Sequence, residues 1–398
     1  MNKTISDVAD IIDCLHTTPS YANKGFPIVR VEDVGDKNID WNNCLKVDET
    51  TCNYMNKKYT PQVGDIIITR VGSFGRMSYI NDDVKFCLGQ NISIIHPKIN
   101  SHFLYYYLRS PYAQKFIFGN SNGSSYKSLS LEHINKIPFS VENLDLDKIS
   151  SILENIDKKI NYNCKIILNL ESLAKTIYDY WFLQFEFPNE DGKPYKSSGG
   201  KMVWNEELKR EIPEGWSVTN VGNITTCLDS KRVPLSSKDR ESMKGPYPYY
   251  GATSEMGSVN EYLFDGDYVL LAEDGSVMDD NGFPILQRIS GKVWVNNHAH
   301  VLQPKEPYGC KLLMFILKNI PVSMIKTGSI QMKVNQKNLN AFKVLSIPEN
   351  IIERANSILD PIDTKIIMLK QENQKLTSLR DFLLPMLMNG QVTFKEEL

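Results

Sequence analysis

The chain lacks the features of a membrane or secreted protein. Its longest apolar candidate segment, residues 103–108, has six residues and three tyrosines, far short of the ~20 residues that a membrane helix needs. The N-terminus has no apolar core of a signal peptide. Seven cysteines are scattered without a CxxC pair, which argues against a disulfide framework or a zinc ribbon. We therefore expect a cytoplasmic protein with reduced thiols that contacts no membrane.

An excess of charge of one sign is also missing. The 45 Lys and Arg residues face 47 Asp and Glu residues, and the formal net charge is -2. This balance excludes a uniformly basic coat for nucleic acid, although a local basic patch stays compatible with it. The length of 398 residues predicts two or three domains, because one hydrophobic core rarely grows past ~250 residues.

Motifs of common enzymes are absent from the sequence. A Walker loop ending at Gly200-Lys201 would need a glycine where Tyr195 stands. There is no [Asp/Asn]-Pro-Pro-[Tyr/Phe] tetrapeptide of amino-methyltransferases and no GxGxxG. His298 and His300 could offer two metal ligands, but no cysteine or carboxylate stands near them at a fixed spacing. We therefore expect neither catalysis nor a metal site in this chain.

The strongest positive signal is an internal repeat with a period slightly above 200 residues. Near the start of each copy we expect an amphipathic segment, with Ile5, Val8, Ile11 and Cys14 matching Val218, Val221, Ile224 and Cys227 at an offset of 213. An apolar strand then opens on Gly-Asp and runs into a Gly-Ser loop in both copies. These dipeptides are Gly64-Asp65 with Gly72-Ser73, and Gly266-Asp267 with Gly275-Ser276.

Three further matches keep the same order along the chain. Residues 88–98 match 295–305 at an offset of 207, residues 123–134 match 328–339 at 205, and residues 152–160 match 358–366 at 206. Duplication explains this order, because the offset drifts only where loops differ in length. Each copy has a body of short strands and loops followed by a helical tail, so the fold class is α+β with two pseudo-repeated mixed α/β bodies.

Each tail has an apolar seam with alternating spacings of four and three residues. This spacing predicts two long helices that pair as a coiled coil, with one asparagine in each seam to fix the register. The alternative is that each tail packs on its own body. The seam residues are Ile156, Ile160, Asn163, Ile167 and Leu170 in the first tail and Ile362, Ile366, Leu369, Asn373 and Leu376 in the second.

These patterns divide the chain into six segments. The region between the first tail and the second body is rich in Pro, Gly, Ser and charge, and we interpret it as an extended connector with turns. The predicted segments are a first body (1–146), a first long helix (147–183), the connector (184–214), a second body (215–347), a second long helix (348–388) and a C-terminal tail (389–398).

The loop after the first Gly-Asp strand has the composition of a contact loop. Arg70 and Arg76 flank two glycines and Ser73. The guanidinium group of arginine binds phosphate in a bidentate manner or recognises guanine through two hydrogen bonds. The alternative is a plain hairpin with solvated arginines. The second copy has Glu273 and Asp274 before Ser276 instead, and such carboxylates can accept a hydrogen bond from the cytosine amino group.

Two further pairs of matching segments carry contact candidates. The first pair puts hydroxyls or an amide beside a lysine, which suits contacts to phosphates and base edges. The amides of the second pair could read adenine. The alternatives are a capped helix turn for the first pair of segments and satisfaction of backbone groups for the second. The candidates are Ser124, Ser125, Tyr126 and Lys127 with their partners Ser329, Gln331 and Lys333, and Gln90 and Asn91 with their partners Asn297 and His298.

With these features in order, the whole chain resembles the specificity subunit of type I restriction-modification systems. The resemblance rests on the duplicated body-plus-helix plan, the Gly-Asp strand with its Gly-Ser loop, and the segment before each tail. The stretch 177–182 leading to 212–216 is also typical. The resemblance implies that each body is a target-recognition domain and that the two long helices form an antiparallel coiled coil that acts as a ruler.

The same resemblance implies a function and a set of partners. Each body would read one half of a split, asymmetric target in double-stranded DNA. Two adenine methyltransferase subunits would dock on the chain, and restriction translocase-nuclease subunits would join optionally. S-adenosylmethionine and ATP would belong to those partners and not to this chain, which agrees with the missing motifs.

Other readings stay open from the sequence. The chain could be the recognition subunit of another restriction-methylation system. It could also be a scaffold whose bodies bind two copies of a protein partner without nucleic acid, which the near-neutral charge favours and the Arg70–Arg76 loop disfavours. A nuclease acting alone would need a carboxylate-lysine metal site, and the sequence offers no such constellation.

Overall fold

The computed structural model describes residues 3–35, 39–119, 128–141, 144–328 and 332–392. The chain forms two compact units, one of Met1–Tyr162 with Asn373–Leu398 and the other of Asn163–Glu372. Each unit therefore contains one repeat body. Both long helices contribute to both units, because the boundaries fall at residues 162 and 372 within them. Among the described residues, no helix combines the length and apolarity that crossing a bilayer requires.

In the described part of residues 3–141, the first unit begins with a body of nine short strands and five short helices. Its strands are β1 (Lys3–Thr4), β2 (Ala9–Asp13), β3 (Phe26–Val29), β4 (Lys46–Val47), β5 (Ile66–Thr69), β6 (Met77–Tyr79), β7 (Cys87–Leu88), β8 (Ile92–Pro97) and β9 (Pro138–Phe139). Its helices are α1 (Ile5–Val8), α2 (Glu49–Met55), α3 (Ser101–Arg109), α4 (Pro111–Gly119) and α5 (Leu131–Asn135), and the long helix α6 (Leu146–Tyr178) follows.

The central sheet of this body has the order β2-β8-β5-β6, with antiparallel neighbours. The three isoleucines of β5 explain its position in the sheet. Ile66 and Ile68 pack in the core that includes α3, while Ile67 packs in a second core on the opposite face. A strand covered on both faces has a continuous apolar sequence instead of an alternating one. The second sheet has the order β4-β3-β7, and β3 and β7 run parallel.

The second unit is built from the connector, the second body and the second long helix. Its strands are β10 (Met202–Asn205), β11 (Arg210–Pro213), β12 (Ser217–Asn220), β13 (Thr225–Cys227), β14 (Tyr247–Tyr250), β15 (Glu255–Val259), β16 (Phe264–Ala272), β17 (Leu286–Val295), β18 (Ala299–Pro304), β19 (Lys326–Thr327), β20 (Lys333–Val334) and β21 (Lys343–Ser346). Its helices are α7 (Val221–Ile224), α8 (Ser237–Ser242), α9 (Cys310–Lys318), α10 (Gln336–Ala341) and α11 (Glu349–Met388).

The second body repeats the first with one merged sheet. Its order is β13-β18-β16-β17-β14-β15, and β14 runs parallel to the end of β17 as β3 runs parallel to β7. The ten-residue strand β17 takes the places of both β6 and β7. Two separate sheets in the first body thus correspond to one continuous sheet in the second.

Strand register corrects the predicted offset of 213 at the start of the repeat. Ala9 faces Pro97 in the first body, and Thr225 faces Pro304 in the second. Pro97 and Pro304 are equivalent, so the offset at the first strand of each sheet is 216. The helices α1 and α7 differ by the same 216 residues. The sequence match failed here because the apolar spacing of such a short segment repeats every few residues.

The two long helices run antiparallel within each unit. In the first unit, Asp157 of α6 pairs with Arg380 of α11 at 2.8 Å, and Leu144, just before α6, lies close to Gly390. In the second unit, Asn163 donates to Glu372 over 2.8 Å, and Glu171 lies 3.4 Å from Lys370. Residue numbers rise along one helix as they fall along the other, which confirms the antiparallel arrangement.

The helices also pack on the bodies, so the two alternatives considered from the sequence are both realised. Ile149 and Leu153 of α6 belong to the core of the first body, and Ile352 and Leu359 of α11 belong to that of the second. All ten residues of the predicted seams are buried or half-buried, namely Ile156, Ile160, Asn163, Ile167, Leu170, Ile362, Ile366, Leu369, Asn373 and Leu376.

The connector contains more structure than the extended segment that composition predicts. A π-helical turn (Asp179–Leu183) continues α6, and β10 and β11 then form an antiparallel hairpin. Phe187 stacks between Tyr195 and Trp216, with ring centroids 4.7 and 5.0 Å away. The buried aromatic residues of this region make it part of the core of the second unit.

Candidate functional site

The candidate contact loops of the first body meet at one end of its central sheet. The end of β2, the end of β5 and the start of β8 lie there, since Asp13 faces Ser93 and Thr69 faces Ile92. Two backbone hydrogen bonds join the loops. The amide of Arg70 donates to the carbonyl of Asn91, and the amide of Leu129 donates to the carbonyl of Arg70, each over 2.8 Å.

The second body repeats this backbone frame with different residues. The amide of Glu273 donates to the carbonyl of His298 over 2.9 Å, and the amide of Val334 donates to the carbonyl of Glu273 over 2.8 Å. Arg70 and Glu273 therefore occupy equivalent positions, as do Asn91 and His298. The duplicated scaffold brings the predicted segments of each body together while the side chains on it differ.

In the first body, the guanidinium of Arg70 is held inside the protein. Its Nη1 donates to Asp13 and its Nε donates to the carbonyl of Leu129 over 3.0 Å. Ser93 also donates to Asp13 over 3.3 Å. Burial alone would raise the pKa of Asp13, but hydrogen bonds from Arg70 and His16 outweigh it and hold the pKa below its usual value. Asp13 is therefore ionised at neutral pH and anchors the arginine.

In the second body, Glu273 lies between two cations. Arg232 donates to its Oε2 over 2.6 Å, and Lys333 lies 2.9 Å from its Oε1. Burial would raise the pKa of Glu273, but hydrogen bonds from Arg232 and Lys333 outweigh it and lower the pKa. Both carboxylate oxygens are engaged, and Asp274 pairs with His298 at 2.7 Å. Glu273 is therefore turned into the body and held by these cations, whereas the cytosine interpretation of the loop stays a prediction.

Arg232 and His300 complete this cluster around Asp229. Arg232 lies 3.3 Å from Asp229 and donates to the carbonyl of Ala299 over 2.7 Å. The Nδ1 of His300 lies 2.5 Å from Asp229, and its Nε2 lies 3.0 Å from the carbonyl of Val334. Burial would raise the pKa of Asp229, but hydrogen bonds, above all the one from His300, outweigh it and lower the pKa.

Several predicted contact residues point to solvent around these clusters. Ser73 and Arg76 are exposed on the loop that follows β5, and buried Thr69 holds this loop by donating to the carbonyl of Ser73 over 2.6 Å. Gln90 is half-buried and donates to Thr18 over 3.2 Å. Asn91 is half-buried and adopts a left-handed backbone conformation with φ of 64°.

In the second body, Ser276, Asn297, His298 and Lys333 are exposed. His298 and Lys333 are tied to Asp274 and Glu273, as described above. The remaining candidates lie outside the described residues. They are Ser124, Ser125, Tyr126, Lys127, Ser329 and Gln331.

Asp13, Asp229 and Arg232 were missed as site residues in the sequence. For the two aspartates a signal was present, because an offset of 216 pairs Asp13 with Asp229, whereas the offset of 213 did not. Arg232 has no arginine at the corresponding place in the first copy, so no repeat match identifies it. Its role depends on the fold, which brings it to Glu273, 41 residues further along the chain.

Sequence spacing also did not show that the fold brings a cysteine and a carboxylate to His300. Cys227, Asp229 and His300 form one of two groups of potential metal ligands in the described part of the chain, and Asp13, Cys14 and His16 form the other. In both groups the aspartate already binds an arginine. A metal ion would have to displace that guanidinium, so the donors are better explained as parts of ion-pair clusters.

The duplicated α+β bodies, the antiparallel helices and the loop clusters define a two-site recognition protein built on a helical frame. A family model described as the type I restriction modification DNA specificity domain matches residues 1–172 and 213–378. The chain belongs to this family, which confirms the family predicted from the sequence. The match covers both repeats, and the duplicated organisation fits DNA target recognition.

Similar proteins carry the same description. The chain is 25% identical to the "Type I restriction enzyme MjaIX specificity subunit" of Methanocaldococcus jannaschii, over 84% of this chain and 78% of the relative. It is 24% identical to a putative MjaX specificity subunit of the same organism, over 99% and 93%. The crystal structure of a type I restriction-modification S subunit from M. genitalium matches with a TM-score of 0.61 at 18% identity, covering 98% of this chain and 96% of that one. This structural likeness supports the fold.

Proposed function

We propose that this chain is the DNA-reading subunit of a type I restriction-modification complex. Each body reads one half of a split, asymmetric target in double-stranded DNA, and the helices set the spacing. The observation that carries the proposal is the duplicated loop frame with exchanged side chains. One scaffold with two different contact surfaces is what the reading of two different half-sites requires.

The contact residues follow from exposure and chemistry. Arg76 and Ser73 in the first body, and Ser276 and Asn297 in the second, are the exposed candidates for contacts to phosphates or base edges. Arg70 and Glu273 lie beneath these residues, and their ion pairs hold the loops in place. The formal net charge of -2 predicts weak DNA binding by the chain alone, so partner subunits supply much of the electrostatic attraction to the DNA phosphates.

The chain itself is non-catalytic in this proposal. Two adenine methyltransferase subunits dock on it, and restriction translocase-nuclease subunits join them when the complex cleaves DNA. S-adenosylmethionine and ATP bind those partners, and the complex works in the cytoplasm. The division into bodies (1–146 and 215–347), long helices (147–183 and 348–388), connector (184–214) and tail (389–398) is part of the same proposal.

The test is co-expression of the full chain with the adjacent methyltransferase gene, followed by genome-wide mapping of N6-methyladenine. We expect methylation at a split, asymmetric motif that disappears when this chain is omitted. Methylation that persists without the chain would place recognition elsewhere. A stable complex without methylation would favour a scaffold that binds protein partners only.

A further inference from the structure

Two aspartates occupy equivalent positions beneath the contact loops. Asp13 ends β2, and Asp229 stands two residues after β13, so the offset of 216 given by the strand register makes them equivalent. Each lies beside the start of the same neighbouring strand. Asp13 accepts a hydrogen bond from Ser93, and Asp229 accepts one from His300, which is equivalent to Ser93 at the offset of 207.

Each aspartate binds an arginine, and the arginine follows a different strand in each of the two bodies. Arg70, which Asp13 binds, follows β5. Arg232, which lies 3.3 Å from Asp229, follows β13. Both guanidinium groups are well shielded, with side-chain exposures of 17% and 11%. The arginine therefore stands at different sequence positions in the two bodies, but both bodies have an ion pair between the aspartate and an arginine.

In both bodies the side chains bound to the aspartate connect the same three segments. Arg70 reaches the carbonyl of Leu129 in the first body, and His300 reaches the equivalent carbonyl of Val334 in the second. The aspartate is the common point in both clusters. It thus links the first strand, the loop after β5 or β16, and the segment that precedes α5 or α10.

We propose that Asp13 and Asp229 are positioning residues for base recognition, each fixing the contact loops of its own body through a half-buried arginine. This inference rests on the proposed function. The aspartates do not touch DNA, because their carboxylates are half-buried, fully engaged and repelled by phosphate. They set the geometry in which exposed neighbours such as Arg76 and Ser276 meet base edges.

The test uses the matched isosteric substitutions Asp13→Asn and Asp229→Asn in the full chain. Each variant is co-expressed with the methyltransferase, and N6-methyladenine is mapped genome-wide. Each substitution is expected to lower discrimination against single-base changes about 10-fold in one half-site, the size of one lost base contact. The two substitutions should affect different half-sites. The matched controls Asp10→Asn and Asp265→Asn alter exposed carboxylates of the same bodies and should leave both half-sites unchanged.

The outcomes separate this inference from the proposed function. If the wild-type chain directs no split methylation, the proposed function fails and the inference fails with it. If the wild-type motif is split but both variants keep it unchanged, the inference alone is overturned. A uniform loss of methylation without any change in base preference would mean a purely structural role and would also overturn it.

A second pair of variants covers the case in which the asparagine variants do not assemble. Arg70→Lys and Arg232→Lys keep the charge but lose the fork that reaches two acceptors at once. A shifted preference in one half-site per variant supports the inference. An unchanged motif, or a failure of these variants to assemble as well, counts against it.

Discussion

Arg70 and Glu273 stand at the same position of the two repeats and carry opposite charges. The backbone of each makes the same two hydrogen bonds, to Asn91 and Leu129 in the first body and to His298 and Val334 in the second. Arg70 binds a carboxylate, and Glu273 binds Arg232 and Lys333. The inversion is tolerated because each buried charge keeps an opposite partner, and a buried charge without one is costly.

The ion pair between the long helices should stabilise the first unit. Arg380 lies 2.8 Å from Asp157, which also accepts a hydrogen bond from Tyr106 over 2.7 Å. Replacing Arg380 by Met leaves a partly buried carboxylate with one polar partner. We expect a loss of about 1–2 kcal/mol in the free energy of unfolding, measured by urea denaturation. The control Lys370→Met removes an exposed pair with Glu171 and should cost less than about 0.5 kcal/mol. Equal effects would contradict the assignment.

Acid should weaken the second unit through Glu273 and Asp229. The pKa of each carboxyl group is below its usual value of 4.5 or 3.8, because hydrogen bonds from Arg232, Lys333 and His300 outweigh burial. A lowered pKa in the folded state gives stability that is present above the usual value and is lost as the pH falls from that value through the lowered pKa. Thermal unfolding followed from pH 7 to pH 3 should show this loss.

The variant Glu273→Gln provides the comparison for this pH series. It removes one of the two titrating groups, so its stability should depend less steeply on pH below about 4.5. At neutral pH it should be less stable than the wild type, because Arg232 and Lys333 lose a charged partner. Identical pH profiles for the two proteins would show that Glu273 carries no such linkage.

Two glycines of the loop after β5 should differ in their tolerance of alanine. Gly72 and Gly75 have positive φ angles of 76° and 79°, so alanine is strained at both. A Cβ at Gly72 meets nothing within 4 Å, whereas at Gly75 it would lie 3.0 Å from Ile117 and 3.2 Å from Phe118. We expect Gly75→Ala to cost about 1 kcal/mol more than Gly72→Ala in urea denaturation. The reverse order would show that α4 yields to the added methyl group.

The proposed ruler predicts a change in spacing. One heptad is inserted in each long helix, between Tyr162 and Asn163 and between Glu372 and Asn373. Seven residues add about 10 Å of helix, or about three base pairs. Methylation mapping should show a wider gap between unchanged half-sites. Seven residues inserted in the turn at Asp191 serve as the control and should leave the gap as it is. An unchanged gap in the helix variant would refute the ruler.

The helices and the repeat were accessible from sequence because they are periodic. The seam from Ile156 to Leu170 alternates four and three residues, and this spacing keeps one face of a helix turned to its partner whatever the surrounding fold. The consecutive isoleucines of β5 likewise indicate a strand that is buried on both faces. The α+β class and the family follow from these local patterns and their order.

The contact residues depended on longer-range geometry. Nothing local distinguishes Arg70, which is turned inward to Asp13, from exposed Arg76 in the same loop. The partners of Glu273 come from positions 41 residues before it and 60 residues after it in the chain.

By itself, the sequence determined the duplicated body-plus-helix plan, the paired seams and the family. The tertiary structure decided which charged side chains are buried in ion pairs and which face solvent. It also decided the true register of the repeat, with Asp13 equivalent to Asp229. The physical reason is that periodicity records burial along one element, whereas ion pairing depends on which distant strands the fold places side by side.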